Sequence, residues 1–226
     1  MPTKAVLLDI EGTVCSISFV HDVLFPYALT ALPSYLSEHW NSPDFQPYRN
    51  AFPAEVRDDK VKLEAYVREL TELDKKEPCL KQLQGLLWRT GYTTGAIKAP
   101  IYEDVLPALQ RWRAEGKKVV IYSSGSIAAQ RLLFTHTTSG DLTPHLSAYH
   151  DPVTSGPKTL SSSYTHIAAA EGVVPEEWVF YSDNVREVEA ATEAGMRAVV
   201  VVRPGNRELS EEERGRWGVV GGFDGL

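Results

Sequence analysis

The sequence predicts an α/β fold in which a doubly wound parallel sheet is interrupted, soon after its first strand, by an all-helical block. Three observations carry that expectation. Short apolar runs recur at the start of the chain and through its second half, helical patterns lie between the later ones, and the stretch 20–95 shows helical spacing with no strand pattern. Strand, helix and strand in that order imply parallel pairing with helices on both faces.

The runs are Ala5–Leu8, 119–122, 178–181 and 198–202. Each has the length of a buried strand and is nearly continuously apolar, as a strand covered on both faces requires. Between them, 101–115 places Val105, Leu109 and Trp112 on one face and ends at Gly116. A second pattern over 159–171 carries Tyr164, Ile167 and Ala168 and ends at Gly172, and 185–194 ends at Gly195. A glycine just past a helix accepts the left-handed conformation that closes it.

The intervening block reads differently. Leu63, Tyr66, Val67, Leu70 and Leu73 follow helical spacing, as do Leu80, Leu83 and Leu87 after Pro78, while Pro43, Pro47 and Pro53 punctuate a looser segment. The expected organisation is therefore a core formed by 1–19 and 96–226, with a helical cap over 20–95.

Bulk composition narrows the function classes. The chain has 226 residues, 43% of them hydrophobic and 23% charged, as a globular enzyme would. No apolar run approaches the roughly 20 residues of a membrane helix, and the opening lacks the form of a signal peptide. Cys15 and Cys79 suggest neither a disulfide framework nor a zinc site, so a cytoplasmic setting is expected, with the nucleus an alternative. A net charge of −7 without a basic stripe disfavours nucleic acid. An anionic substrate then requires a site that inverts the local sign with a metal ion or lysines.

Ligands of an open parallel sheet bind beyond the carboxyl ends of its strands. The first run ends in Asp9-Ile10-Glu11-Gly12-Thr13, the second in Ser123-Ser124-Gly125-Ser126, and the third in Ser182-Asp183-Asn184. Taken singly, these are ordinary features: a strand-to-turn transition, and helix entries capped by Ser126 or Asn184. Lys158 alone would be a solvated lysine. Two acids and a hydroxyl cluster at neighbouring strand ends are harder to treat as coincidence.

In that order the motifs resemble those of the haloacid dehalogenase superfamily, whose Rossmannoid core carries an inserted cap. Asp9 to Thr13 resembles its nucleophile motif, Ser123 its strand-end hydroxyl, Lys158 its lysine motif, and Asp183 with Glu187 its acidic motif. Glu11 departs from the Asp that most phosphatases of the superfamily have there. Leu-Leu-Asp-Ile-Glu-Gly-Thr instead resembles the enolase-phosphatase (acireductone synthase) family. Leu24-Phe25-Pro26-Tyr27, Leu83-Gln84-Gly85, Tyr122 to Ser126 and Val202-Arg203-Pro204-Gly205-Asn206 match it too, across nearly the whole chain.

The resemblance implies a magnesium-dependent phosphatase of methionine salvage acting on a small phosphate ester, a diketone phosphate that is enolised and then dephosphorylated. It implies Asp9 as nucleophile and metal ligand, Glu11 as acid/base and as a second metal contact through its carbonyl, and Asp183 as the third. Ser123 and Ser124 would bind phosphate, helped by amides at the following helix start, and Lys158 would add a point charge. Glu187, one turn past Asp183, would support the site, its bland alternative being a surface acid. For the enolisation base, Glu11 is the first candidate and His21 the second. Loop 203–206 would be either a substrate contact or a plain turn. A monomer is expected. The alternatives are another phosphatase or a dehalogenase on the same fold, and a non-catalytic scaffold. Glu11 speaks against dehalogenation, and the retained Asp9, Lys158 and Asp183 speak against a decayed site.

Overall fold

The computed structural model describes residues 2–225. The chain divides into two compact units, Met1–Phe19 with Lys98–Leu226, and Val20–Ile97.

Among the described residues of the first unit, six strands form one sheet: β1 (Ala5–Leu8), β2 (Lys118–Tyr122), β3 (Ala148–His150), β4 (Trp178–Ser182), β5 (Arg197–Val201) and β6 (Gly218–Val220). Their order is β3-β2-β1-β4-β5-β6 and every pairing is parallel. The chain winds outward from β1 through β2 to β3, then returns to place β4 on the other side of β1. That reversal makes β1 the switch point of the sheet.

Because side chains alternate across a strand, each face has its own core. Ala5, Leu7, Val120, Tyr122, Trp178 and Phe180 pack with Tyr164, Ile167 and Ala168 of the helix Ser161–Glu171 and with Ala190 and Ala191 of the helix Val185–Glu193. Trp112 of the helix Val105–Ala114 stacks on Tyr181 at 6.0 Å, and Phe223 meets both rings edge-on. Burying such side chains stabilises the fold by roughly 1.5–3 kcal/mol each.

Several boundaries depart from the sequence expectation. The helix foreseen over 101–115 begins at Val105, because Ile101 pairs as an isolated bridge with Cys15. The helix foreseen from 159 begins at Ser161. Strands β3 and β6 were not foreseen; three residues each are too short to show a period.

The second unit is helical, built from Phe25–His39, Gln46–Asn50, Ala54–Arg57, Lys60–Glu72 and Pro78–Thr93, with a π-helical turn at Val20–Leu24. Leu63, Val67, Leu70, Leu80, Leu83 and Leu87 are buried in its core with Leu32, Leu36 and Phe45, as their spacing predicts. Leu73 is not: it falls at the end of its helix and is 58% exposed. Asp59 caps the helix Lys60–Glu72 by accepting the Val61 and Lys62 amides, and Pro78 opens the next helix, where its missing N–H costs nothing. Trp88 Nε1 donates to the Leu24 carbonyl, tying that helix to the π-helical turn. His21, in that turn, meets the Phe25 ring edge-on at 5.3 Å. Among the described residues, no helix is long and apolar enough to cross a membrane.

Candidate active site

The parallel register brings three strand ends side by side. Leu8 pairs with Ile121 of β2 and with Tyr181 of β4, so the residues that follow emerge at one edge. Asp9, Glu11, Ser123, Ser124, Lys158, Asp183 and Glu187 all line a cavity of about 340 Å³ there, together with Ile17, Asn184, Val185 and Arg207. These seven expected residues are thus in one place, while His21 and residues 203–206 are not among its lining.

The loop after β1 is wound tightly. The amides of Thr13, Val14 and Cys15 all point at the Ile10 carbonyl, and Gly12 takes a left-handed φ of +69°. This turn leaves Asp9 buried and Glu11 exposed. Burial, reinforced by the charges of Glu11 and Asp9, pushes the Cys15 thiol far above its ordinary value, so it stays protonated.

Lys158 is the hub of the cavity floor. Its ammonium is 2.5 Å from Asp9 Oδ1 and 2.6 Å from Glu187 Oε2, and it lies over the Tyr122 ring. Burial alone would lower its proton affinity; the charges and hydrogen bonds of Asp9 and Glu187 more than offset this and hold it above the usual lysine range. Its loop is pinned by Tyr164 donating to the Lys158 carbonyl, Ser163 to the Pro157 carbonyl and Tyr122 to the Gly156 carbonyl. Glu187 is no surface acid. It is buried, and Ser182 donates to its Oε2 at 2.9 Å. Burial and the Asp9 charge push Glu187 up to about 7 against the opposing pull of Lys158. Burial, then Asp9 and Glu187, likewise raise Asp183 to about 7.

Such a cavity, anionic at its wall and holding one buried ammonium, suits a phosphate ester only with added positive charge. The comparisons with known proteins agree with the chemistry. The model of the haloacid dehalogenase-like hydrolases matches residues 3–195. "Enolase-phosphatase E1" of Neurospora crassa is 56% identical over 227 residues, covering 99% of this chain and 97% of that one. The chain belongs to the enolase-phosphatase E1 family of haloacid dehalogenase-like hydrolases. "Enolase-phosphatase E1" of Podospora anserina is 53% identical over 97% of this chain and 96% of its own length. The crystal structure of the UTR4 protein from Saccharomyces cerevisiae superposes with a TM-score of 0.88 at 38% identity, covering 99% of this chain and all of that one.

At the start of the helix Ile127–Thr135, Gly125 N donates to Ser123 Oγ, Ile127 N to Asp151 and Ala129 N to the capping Ser126. Loop 203–206 does not line the cavity. Two of its side chains turn inward instead: Arg203 Nε donates to the Thr13 carbonyl at 3.0 Å and Asn206 Nδ2 to the Gly12 carbonyl at 2.8 Å. Arg203 also pairs with Asp104 at 2.9 Å, so the loop after β5 braces the loop after β1.

Sequence reasoning about the enolase-phosphatase motifs missed Arg207, which does line the cavity. The signal was its place directly after the matched stretch 202–206. Its guanidinium is held by Glu213 at 3.0 and 2.7 Å, and Glu213 is itself locked in a capping box with Ser210.

The oxygen donors fit a hard divalent cation. Among the described residues no three His, Cys, Asp or Glu side chains are grouped to hold a metal; the side-chain set the cavity offers at the ends of β1 and β4 is Asp9 and Asp183. Gly12 shows how the set is brought together. A Cβ there would lie 2.6 Å from Asp183 Oδ2 and 2.9 Å from Asn206 Oδ1, so only glycine lets the Asp183 carboxyl reach the Asp9 loop.

Proposed function

We propose that the chain carries out the enolase-phosphatase reaction, converting 2,3-diketo-5-methylthiopentyl 1-phosphate to acireductone and phosphate in methionine salvage. It is a phosphatase of the haloacid dehalogenase type. The observation that carries the reading is Lys158 bridging Asp9 and Glu187 beside Asp183, with Glu11 two residues past Asp9 on the same cavity wall.

Asp9 is the nucleophile. Lys158 holds its Oδ1, which orients the second oxygen for attack on phosphorus. A bond forms from Asp9 to phosphorus as the ester P–O bond breaks, giving an aspartyl-phosphate and a leaving enol oxygen that Glu11 protonates. Glu11 then takes a proton from water, which attacks phosphorus and frees Asp9. The same carboxylate is suited to remove the carbon-bound proton in the preceding enolisation, being exposed at the cavity rim. Ser123 and Ser124 donate hydrogen bonds to the phosphate, and Lys158 adds charge to the transferring oxygens. Glu187 keeps Lys158 in place. Asp9, Asp183 and the Glu11 carbonyl would hold magnesium, which when bound offsets the repulsion between carboxylate and phosphate.

In this reading 20–95 is a cap on a core of 1–19 and 96–226, and cap residues decide substrate choice. The enzyme is a cytoplasmic monomer taking a small molecule, with no nucleic acid or membrane as partner. The test is turnover with magnesium of the diketone phosphate against a panel of sugar and amino-acid phosphates. A strong preference for the diketone phosphate is expected; equal rates across the panel would reject the acireductone assignment in favour of a broader phosphatase.

A further inference from the structure

We propose that Arg207 is a substrate-binding residue that takes the phosphate group of the incoming ester on the edge of its guanidinium that Glu213 leaves uncovered. This rests on the phosphatase reading above and adds a residue to it.

The argument begins with charge. The cavity presents the carboxylates of Asp9, Glu11, Asp183 and Glu187, and its cations among the described residues are Lys158 and Arg207. Lys158 is already engaged by two of those carboxylates. An entering phosphate dianion therefore needs a second positive group besides any metal, and Arg207 is the side chain the wall offers. Its side chain is 62% exposed against 6% for Lys158, which places the two at the entrance and the floor.

Geometry then sets which atoms are available. A guanidinium has five N–H donors arranged as two usable edges. In Arg207, Nη1 donates to Glu213 Oε2 and to the Glu208 carbonyl, and Nη2 donates to Glu213 Oε1. That fills the terminal edge. The lateral edge, formed by Nε–H and the second Nη2–H, keeps two parallel donors with the spacing of two oxygens of a phosphate. Glu213 does more than occupy one edge. Its carboxylate also accepts the Ser210 amide at 2.8 Å while its own amide donates to Ser210 Oγ, so the anchor is fixed by the helix Glu211–Arg216. An arginine held this way gives up little rotamer freedom when it binds, which favours affinity. Asn206, the preceding residue, ties the same loop to the Gly12 carbonyl, so the fork is mounted on the element that braces Asp9.

The test is titration calorimetry of inorganic phosphate into the full-length protein with magnesium, for wild type, R207A and R207K, alongside KM and kcat for the diketone phosphate. R207A should weaken phosphate binding on the order of 10- to 100-fold, as loss of charged hydrogen bonds implies. The kinetic loss should fall on KM rather than kcat. R207K should recover only part, since an ammonium cannot present the fork. E213Q should weaken phosphate binding by a smaller factor, by loosening the anchor. Circular dichroism should match wild type and the melting temperature should fall only slightly, because the Arg207–Glu213 pair lies at the surface. Phosphate affinity of R207A within about two-fold of wild type would overturn the proposal. So would a raised KM with unchanged phosphate affinity, which would move Arg207 to the carbon skeleton of the substrate. If wild type turned over no phosphate ester yet bound phosphate through Arg207, the functional reading would fall and this site would stand.

Discussion

Asn206 reaches across 194 positions of sequence to donate its Nδ2 to the Gly12 carbonyl at 2.8 Å, and so ties the loop after β5 to the loop that carries Asp9 and Glu11. Nδ2 also donates to the Val201 carbonyl, which fixes the amide's orientation and turns Oδ1 toward the Asp183 side of Gly12. Replacing Asn206 with leucine should therefore lower kcat by about ten-fold through a loosened Asp9 loop while removing hydrogen bonds worth about 1 kcal/mol each. Melting and steady-state kinetics check both. A variant that loses stability with wild-type kcat would make the contact structural only. Gly12→Ala should be more severe, since its Cβ would meet Asp183 Oδ2 at 2.6 Å and a φ of +69° strains any L side chain.

Asp9→Asn removes the charge that Lys158 contacts but keeps the shape. Glu187 still pairs the ammonium at 2.6 Å, so the chain should stay folded by circular dichroism. Phosphate release should be abolished, because an amide cannot form the aspartyl-phosphate. Retained turnover would take the nucleophile role from Asp9.

Much of this site is legible in the sequence alone, and the reason is physical. A buried parallel strand must be apolar, so the first polar residue after it is conspicuous, and Asp9, Ser123 and Asp183 each stand just past such a run. Lys158 has no such frame; only its motif resemblance marked it, and its burial under two carboxylates appears only in three dimensions. Arg203, Asn206 and Arg207 were hardest to assign. Their partners Thr13, Gly12 and Glu213 lie 190, 194 and 6 residues away, and no local periodicity encodes such contacts. The strands β3 and β6 escaped for a different reason, being edge strands of three residues whose sequences carry no pattern of their own.

Glu11, the acid/base proposed above, is exposed at the cavity wall. Glu11→Ala should lower hydrolysis by about two to four orders of magnitude, the usual span of acid–base assistance. The main-chain carbonyl proposed for the metal is retained in that variant, so magnesium affinity measured by calorimetry should change little. A loss smaller than about ten-fold would demote Glu11 from acid/base to a substrate contact.

Metal removal should show itself in the pH dependence of stability as well as in lost turnover. Asp183 and Glu187 are raised to about 7 in the folded, metal-free protein, from ordinary values of 3.8 and 4.5. Between those limits the folded state binds protons that the unfolded chain has released, so stability falls as pH rises through the window. Glu213, lowered to about 2, has the opposite sign, but its contribution is already complete above its ordinary value of 4.5. In EDTA the melting temperature should therefore drop as pH is raised from about 5 to about 8. Saturating magnesium binds the ionised carboxylates and stabilises the fold by mass action, so the temperature it adds should be larger at the upper pH than at the lower. Differential scanning calorimetry at both pH values, with EDTA and with magnesium, measures the four points. A magnesium-induced gain that is equal at the two pH values would mean that Asp183 is not among the groups the cation meets, and activity that survives EDTA would exclude the magnesium mechanism outright.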